Sequence, residues 1–215
     1  MAEKKEELLE IWDWETGLPT GKSVERSFAH KNGIAHEGVH LWIIRGDFNS
    51  REILFQKRSG SKDQFPGFLD ITVGGHVPFG LTENKIQKEA FEEIGIMPED
   101  KSMIDLGFYR YEEIMDNMHH REFQHIYVLH DNRNLSEYKF NDGEVSAICS
   151  IALEDLEKML IENSVIPAEI FDGKKTWKTT IGKKDIHPLL FAPSMTEYIR
   201  IVIDAFKKKF DSLRK

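Results

Sequence analysis

The stretch that decides the fold is residues 74–96, which read GGHVPFGLTENKIQKEAFEEIGI. The β-branched segment Asp70–Val73 precedes the glycine pair and predicts a strand that ends in a glycine turn. With Thr82 as the N-cap, a helical pattern runs to about Ile94, and Gly95 ends it. Strand, glycine turn, acidic helix and glycine stop form a unit that can hold metal ions against a phosphate.

The predicted helix concentrates negative charge on one edge. At ~100° per residue, Glu89, Glu92 and Glu93 share an arc of roughly 100° beside an apolar face. Like charges at i,i+3 and i,i+4 each destabilise an isolated helix by a few tenths of a kcal/mol. Divalent cations would offset that repulsion, because carboxylate oxygens are the ligands that Mg²⁺ prefers. The alternative interpretation is a solvated acidic face.

Length and composition narrow the class of protein. The chain has 215 residues, 40% of them hydrophobic and 31% charged, which indicates one globular domain or one domain with an appendage. The net charge of −8 argues against non-specific DNA binding but permits an anionic substrate, because metals reverse the local charge of a site. Cys149 is the only cysteine, which excludes an intrachain disulfide and a Cys-rich zinc site. No apolar run approaches the ~18 residues of a membrane span, and we expect a cytoplasmic protein.

The rest of the chain predicts strands before and after the acidic helix. We expect strands at Leu9–Trp14, Lys22–Phe28, Val39–Ile44, Glu52–Arg58, Ser102–Ile114, Arg121–Leu129 and Glu144–Ile151. His119 and His120 then fall in a polar connection. We expect helices at Leu153–Asn163 and after a capping box at 194–197, with a hairpin turn at Asp172-Gly173. This order favours an α+β or α/β/α-sandwich layout.

Residues 74–96 resemble the sequence box of the Nudix hydrolase family. That box reads Gly, five residues, Glu, seven residues, Arg-Glu, a large aliphatic residue, any residue, Glu-Glu, any residue, Gly and an aliphatic residue. The C-terminal half matches from Lys88, in the place of the Arg, to Ile96. The first Glu is missing, because its place falls on Leu81 or Gly80, with Glu83 close by. Lysine keeps the charge of the box Arg but loses its bidentate geometry toward a carboxylate.

Further segments resemble the Nudix branch related to isopentenyl-diphosphate isomerases. They are Glu10–Asp13 with Gly17 and residues 19–21, Val39–Trp42, Leu54–Ser59 and Phe65–Gly67. In the isomerases a catalytic cysteine precedes the Gly-His that corresponds to Gly75 and His76, and here Gly74 takes its place. The resemblance therefore implies hydrolysis in an α+β, Nudix-like α/β/α sandwich with a mixed sheet and a C-terminal helical extension. We expect a single domain over residues 1–215, with a core at about 9–163 and an extension at about 164–215 packed on it.

The resemblance also implies a site for one to three Mg²⁺ ions, with Mn²⁺ as the alternative. The implied metal ligands are Gly74, through its carbonyl, and Glu89, Glu92, Glu93 and Glu122. The implied catalytic residues are Glu92, Glu93 and Glu122, of which Glu92 or Glu122 would take a proton from water. The implied substrate-binding residues are Arg58, Lys62, Phe65, Gly75 and His76. His36 and His76 also align with metal-binding histidines of the isomerases, and a surface or strand-end position is the alternative for each.

We therefore expect a metal-dependent hydrolase that cleaves a diphosphate linkage by water attack at phosphorus. The substrate would be a nucleoside-diphosphate-type or related small molecule, and nucleotide sugars and prenyl diphosphates also fit. We expect no nucleic-acid or membrane partner, and a homodimer is open. One alternative is an isomerase-like enzyme that uses another acid in place of the thiol. The other is a weakened diphosphate-binding or regulatory module, which the missing box glutamate permits.

Overall fold

The sheet is organised around a strand that is buried on both faces. The computed structural model describes residues 6–62, 64–115 and 118–214. In β3 (His36–Gly46), Leu41 and Ile43 pack in one apolar cluster and Trp42 and Ile44 pack in another. Successive side chains of a strand point to opposite faces, so this run of apolar residues supports a layer of helices on each side.

The other strands extend this sheet in both directions. They are β4 (Arg51–Arg58), β5 (Leu69–Asp70), β6 (Val73–His76), β7 (Met103–Met115), β8 (Met118–His130), β9 (Val145–Ala152), β10 (Ile166–Phe171) and β11 (Thr176–Ile181). Within the described residues, nine strands form one sheet in the order β11-β10-β9-β4-β3-β8-β7, with β5 on β4 and β6 on β3. β3 and β8 run parallel and the other pairs are antiparallel, so the sheet is mixed. β1 (Leu8–Asp13) and β2 (Leu18–Glu25) form a separate hairpin.

Helices cover both faces of the sheet, which confirms the predicted sandwich. α2 (Lys85–Ile94) packs its buried apolar residues into the cluster of Leu41 and Ile43. α3 (Leu153–Glu162) and α4 (Thr196–Ser212) pack into the cluster of Trp42 on the other face. The C-terminal helix is therefore part of the core, and the continuity of the sheet through β11 supports our proposal of a single domain.

The acidic helix ends as predicted and begins later than predicted. Gly95 has φ 73°, and its N–H donates to the carbonyl of Phe91, so it closes α2 in the left-handed conformation that favours glycine. The N-cap is Asn84 rather than Thr82, and no side chain caps this end. The Thr82 prediction was wrong because residues 81–82 are irregular and residues 83–84 form a bend before the helix starts.

Three other local predictions were also wrong. The second strand of the hairpin ends at Glu25, and α1 (Arg26–Asn32) follows it. The capping box at 194–197 does not form, because the Ser194 hydroxyl donates to Glu113 instead of capping α4. His119 and His120 lie in β8 and not in a connection, so their side chains are held by the sheet.

Phe206 tests how far the fold depends on α4. Its side chain is fully buried against the sheet, so Phe206→Ala should lower the free energy of unfolding by about 3–5 kcal/mol. Ile161→Ala is the matched control, because Ile161 is 85% exposed and should change stability by no more than about 0.5 kcal/mol. Urea unfolding of both variants checks this. Equal stability of the two variants would show that α4 is not part of the core.

Candidate functional site

A cavity of about 340 Å³ lies where β6, α2, β8 and the chain after β4 meet. It is lined by most of the residues that the sequence predicted for the site, namely Arg58, Lys62, Gly74, Gly75, His76, Glu89, Glu92 and Glu122. Glu93 and Phe65 do not line it. The structure therefore brings eight of the ten predicted site residues to one cavity wall and places the other two behind it.

The glycine pair of β6 allows α2 to approach closely. A Cβ atom built on Gly75 would lie 2.2 Å from Oε2 of Glu89, so only glycine leaves the Glu89 carboxylate in this position. Glu93 lies behind Gly74, where its Oε2 accepts hydrogen bonds from the Gly74 N–H at 3.1 Å and from Nε2 of Gln56 at 3.0 Å. Burial raises the pKa of Glu93 well above its usual range. Glu93 thus joins α2 to β6 and β4.

Lys88 neutralises part of the acidic edge of α2. Its Nζ lies 3.0 Å from Oε1 of Glu89 and 2.6 Å from Oε2 of Glu92. This lysine stands in the place of the box Arg, and it reaches the two carboxylates that also line the cavity. Burial raises the pKa of Glu89, which is the expected effect of removing a carboxylate from water. The acidic edge of α2 therefore keeps carboxylate oxygens available for a metal ion, although Lys88 binds one oxygen each of Glu89 and Glu92.

A second group of charged and polar side chains lies in the same region of the cavity. His30 of α1, His36 of β3, His76 of β6 and Glu122 of β8 each offer one ligand atom, and these atoms lie within 4.8 Å of one another. We call these four residues the histidine cluster. Nε2 of His30 lies 3.1 Å from Nε2 of His76 and 3.3 Å from Nε2 of His36. The register of β3 and β8 pairs His36 directly with Glu122.

The protonation of the histidine cluster fits a metal ion. Nδ1 of His36 lies 2.9 Å from the carbonyl of Ile34 and must donate to it, so Nε2 of neutral His36 keeps its lone pair. Burial lowers the pKa of His30 to about 3 and that of His76 to about 4, so both are neutral at pH 7. If Nε2 of His30 carries a proton, it can donate that proton to His36 or to His76 but not to both. A divalent cation would instead be coordinated by all three imidazoles.

Glu122 supplies the negative charge of the cluster. Its burial would raise the pKa, but the nearby imidazoles of His120 and His76, at 3.5 and 3.8 Å from Oε1, outweigh burial and hold the pKa well below the usual range. Gln124 also donates from Nε2 to Oε2 of Glu122 at 3.2 Å. Nε2 of His120 and Oε1 of Gln124 are buried without a hydrogen-bond partner in the described residues. Three imidazoles and a carboxylate are ligands that suit divalent transition metals.

Sequence reasoning missed His30 and His120. His30 precedes His36 by six residues, a spacing that a search for paired histidines could have found. His120 was placed in a connection, although it lies in β8 with Nδ1 3.5 Å from Oε1 of Glu122.

The predicted phosphate-binding residues line the cavity with carboxylate partners. Nη1 of Arg58 lies 2.9 Å from Oδ2 of Asp70, and Lys62 pairs with Glu144. Phe65 packs on the ring of His187, with the ring centroids 4.3 Å apart, and His187 lines the cavity. Phe65 therefore supports the wall and does not form it.

The described part of the chain contains no helix that is long and apolar enough to cross a membrane. The family model of the NUDIX domain matches residues 35–171, more than half of the chain. The chain belongs to the Nudix family. The match includes β3, β6, α2 and β8, which carry most of the cavity.

Relatives and solved structures agree with this membership. A Nudix hydrolase of Clostridium acetobutylicum, described as uncharacterized, is 29% identical over 207 residues, which cover 94% of this chain and 97% of that protein. Isopentenyl-diphosphate Delta-isomerase 1 of Photorhabdus laumondii is 26% identical over 151 residues, which cover 69% of this chain and 81% of the isomerase. A crystal structure of a protein from Deinococcus radiodurans shares the fold with a TM-score of 0.54 and 23% identity, over 70% of this chain and 86% of that one. The expectation of a Nudix hydrolase similar to the isomerase branch is confirmed.

Gly75→Ala tests the close approach of β6 and α2. The new methyl group would lie 2.2 Å from Oε2 and 2.9 Å from Cγ of Glu89, so the side chain of Glu89 should turn away from β6 while the protein still folds. If Glu89 is a metal ligand, the rise in melting temperature on adding Mg²⁺ should shrink, because weaker binding stabilises the folded state less. Gly60→Ala is the control, since a Cβ at Gly60 meets no atom within 4 Å. A full Mg²⁺ response in Gly75→Ala would contradict the role of Glu89.

Proposed function

We propose that this Nudix protein is a metal-dependent hydrolase that cleaves the phosphoanhydride bond of a small diphosphate-containing molecule by water attack at phosphorus. The family supports the class of reaction. The observation that carries the proposal is that one cavity combines carboxylates of α2, three members of the histidine cluster and basic side chains that include Arg58 and Lys62. Nucleoside diphosphates, nucleotide sugars and prenyl diphosphates are the candidate substrates.

The chain offers two sets of metal ligands. The first is the set predicted from the sequence, namely the Gly74 carbonyl, Glu89, Glu92, Glu93 and Glu122, which suits Mg²⁺ or Mn²⁺ because its atoms are oxygens. The second is the histidine cluster, which shares Glu122 and suits a transition metal such as Mn²⁺. Bound divalent cations would neutralise phosphate charge and lower the pKa of a coordinated water.

The side chains around the cavity would have separate roles in phosphate binding, proton transfer and metal coordination. Arg58 and Lys62 would bind the distal phosphate, each sharing its charge with the carboxylate that it now contacts. Glu92 is the better general base, because its side chain is 45% exposed and, among the described residues, Lys88 is its one hydrogen-bond partner. Glu122 is surrounded by His76, His120 and Gln124, which supports a role as ligand. Glu93 would contribute by holding Gly74 in place, in addition to its predicted role as a ligand.

An isomerase-like reaction is the second candidate, and the histidine cluster is the observation that favours it. His36 and His76 align with metal-binding histidines of the isomerases, and one isomerase is among the relatives. The reaction would still lack its thiol, because Gly74 takes the place of the cysteine. Cys149 cannot replace it, since it is fully buried in β9, does not line the cavity, and has its pKa raised to about 12 by burial.

A substrate panel tests the proposed function. The purified protein is incubated with nucleoside diphosphates, nucleotide sugars and isopentenyl diphosphate in the presence of Mg²⁺ or Mn²⁺. We expect phosphate or a phosphate ester to be released from at least one compound, and EDTA to abolish the release. Conversion of isopentenyl diphosphate to its isomer without hydrolysis would support the isomerase. A metal-dependent melting shift without hydrolysis of any compound would support a binding module.

Variants of the acidic edge test which carboxylates act. Glu89→Gln and Glu92→Gln should each lower kcat by about 10²-fold or more, because each removes a charged ligand or the general base. Glu99→Gln is the matched control, because its side chain is 68% exposed and contacts Lys101 rather than the cavity, so its kcat should be that of the wild type. Circular dichroism checks that all three variants fold. A wild-type kcat in Glu92→Gln would exclude Glu92 as the general base.

A further inference from the structure

A chain of hydrogen bonds runs from the core to the wall of the cavity through Trp42, Tyr198 and His40. Nε1 of Trp42 lies 2.9 Å from the Tyr198 hydroxyl oxygen, which lies 2.9 Å from Nδ1 of His40. Trp42 is 2% exposed and Tyr198 is fully buried, whereas His40 lines the cavity. The chain therefore connects the packing of α4 on the sheet with a group that faces the substrate region.

The hydrogen bonds of this chain run in one direction. The indole nitrogen of Trp42 can only donate, so the Tyr198 oxygen accepts from it. The hydroxyl proton of Tyr198 then needs an acceptor, and Nδ1 of His40 is the other hydrogen-bond partner of this oxygen in the described residues. A proton on Nδ1 would leave the buried hydroxyl proton without an acceptor, which is strongly unfavourable. Neutral His40 therefore carries its proton on Nε2.

The same hydrogen bonds make His40 a neutral imidazole. A second proton on the ring would occupy Nδ1 and leave the buried hydroxyl proton of Tyr198 without an acceptor. The tautomer of His40 is therefore set by Tyr198.

The Nε2 edge of the His40 ring lies beside Gly74 at the cavity. The two residues are cross-strand partners in β3 and β6. A Cβ atom on Gly74 would lie 3.4 Å from Cδ2 and 3.8 Å from Nε2 of His40, so this edge of the ring lies within van der Waals reach of position 74. Within residues 6–62, 64–115 and 118–214, Nε2 of His40 has no hydrogen-bond partner. The donor is available to a bound molecule.

We propose that His40 is a substrate-binding residue whose Nε2–H donates to a phosphoryl oxygen of the bound diphosphate, with Tyr198 and Trp42 as its positioning residues. The inference rests on the proposed function, which puts a diphosphate in this cavity. Arg58 and Lys62 bring positive charge to the same cavity on long side chains. His40 instead brings an uncharged hydrogen-bond donor whose orientation is set by the core. It would therefore fix the position of one phosphoryl oxygen, and it would not neutralise the charge of the phosphate.

Nitrogen NMR of protein labelled with ¹⁵N-histidine tests the tautomer without any ligand. The wild type should show His40 protonated at Nε2 only, with the signal assigned by its loss in His40→Gln. Tyr198→Phe removes the hydroxyl that fixes the tautomer, and His40 should then populate both neutral forms. A wild-type His40 protonated at Nδ1 would overturn the inference.

Calorimetry with methylenediphosphonate and Mg²⁺ tests the binding role, because this probe is not hydrolysed. His40→Ala should weaken binding about tenfold or more, the effect of losing one hydrogen bond to a charged group. His40→Gln should recover part of the affinity, since its amide nitrogen can replace Nε2 as the donor. His125→Gln is the control, because His125 bonds to Asp105 and does not line the cavity, and its affinity should be that of the wild type.

The two proposals fail differently. If the wild type releases phosphate from a diphosphate while His40→Ala binds the probe with unchanged affinity, only the role of His40 is wrong. If His40→Ala weakens binding but the wild type hydrolyses no diphosphate, the hydrolase is wrong and the role of His40 stands. The NMR measurement applies in both cases, because it needs neither turnover nor a folded His40→Ala variant.

Discussion

The buried carboxylate of Glu93 is the interaction on which the cavity depends. Its Oε2 accepts from Gly74 of β6 and from Gln56 of β4, so one oxygen fixes α2 against two strands. A carboxylate that is 2% exposed is unfavourable unless it is hydrogen-bonded, and both donors are positioned by the sheet. The rest of the acidic edge faces the cavity because Glu93 holds this side of the helix against β6.

Two kinds of ligand meet across this cavity. The edge of α2 offers carboxylate oxygens, which suit hard cations such as Mg²⁺. The histidine cluster offers neutral imidazoles with one carboxylate, which suit transition metals. Glycine at position 75 leaves the Glu89 carboxylate in place, because a Cβ atom there would lie 2.2 Å from its Oε2. Gly74 removes the thiol on which the isomerases depend, so the geometry supports hydrolysis.

The sequence predicted those parts of the structure that depend on local pattern. The period of the apolar residues located β3, β4, β9 and α2, and the family box located Glu89, Glu92 and Glu93. Predictions from local pattern were wrong where a residue that is distant in the sequence determines the local structure. Ser194 did not cap α4 because Glu113 of β7 accepts its hydroxyl proton.

The histidine cluster as a group of possible metal ligands was not predicted from the sequence for the same reason. His30, His36 and His76 come from a helix and two strands, so strand pairing and the packing of α1 are both needed to bring their ring nitrogens together. His40 gains its orientation from Tyr198, which is 158 residues away in the chain. The spacing of His30 and His36 could indicate a pair of histidines, but it shows neither the contact with His76 nor the contact with Tyr198.

Anomalous diffraction from a crystal grown with Mn²⁺ and methylenediphosphonate tests the central claim most directly. The account predicts manganese peaks at both the histidine cluster and the acidic edge of α2, with the diphosphonate between them and Arg58. A diphosphonate bound outside this cavity, or manganese absent from both sets of ligands, would contradict it.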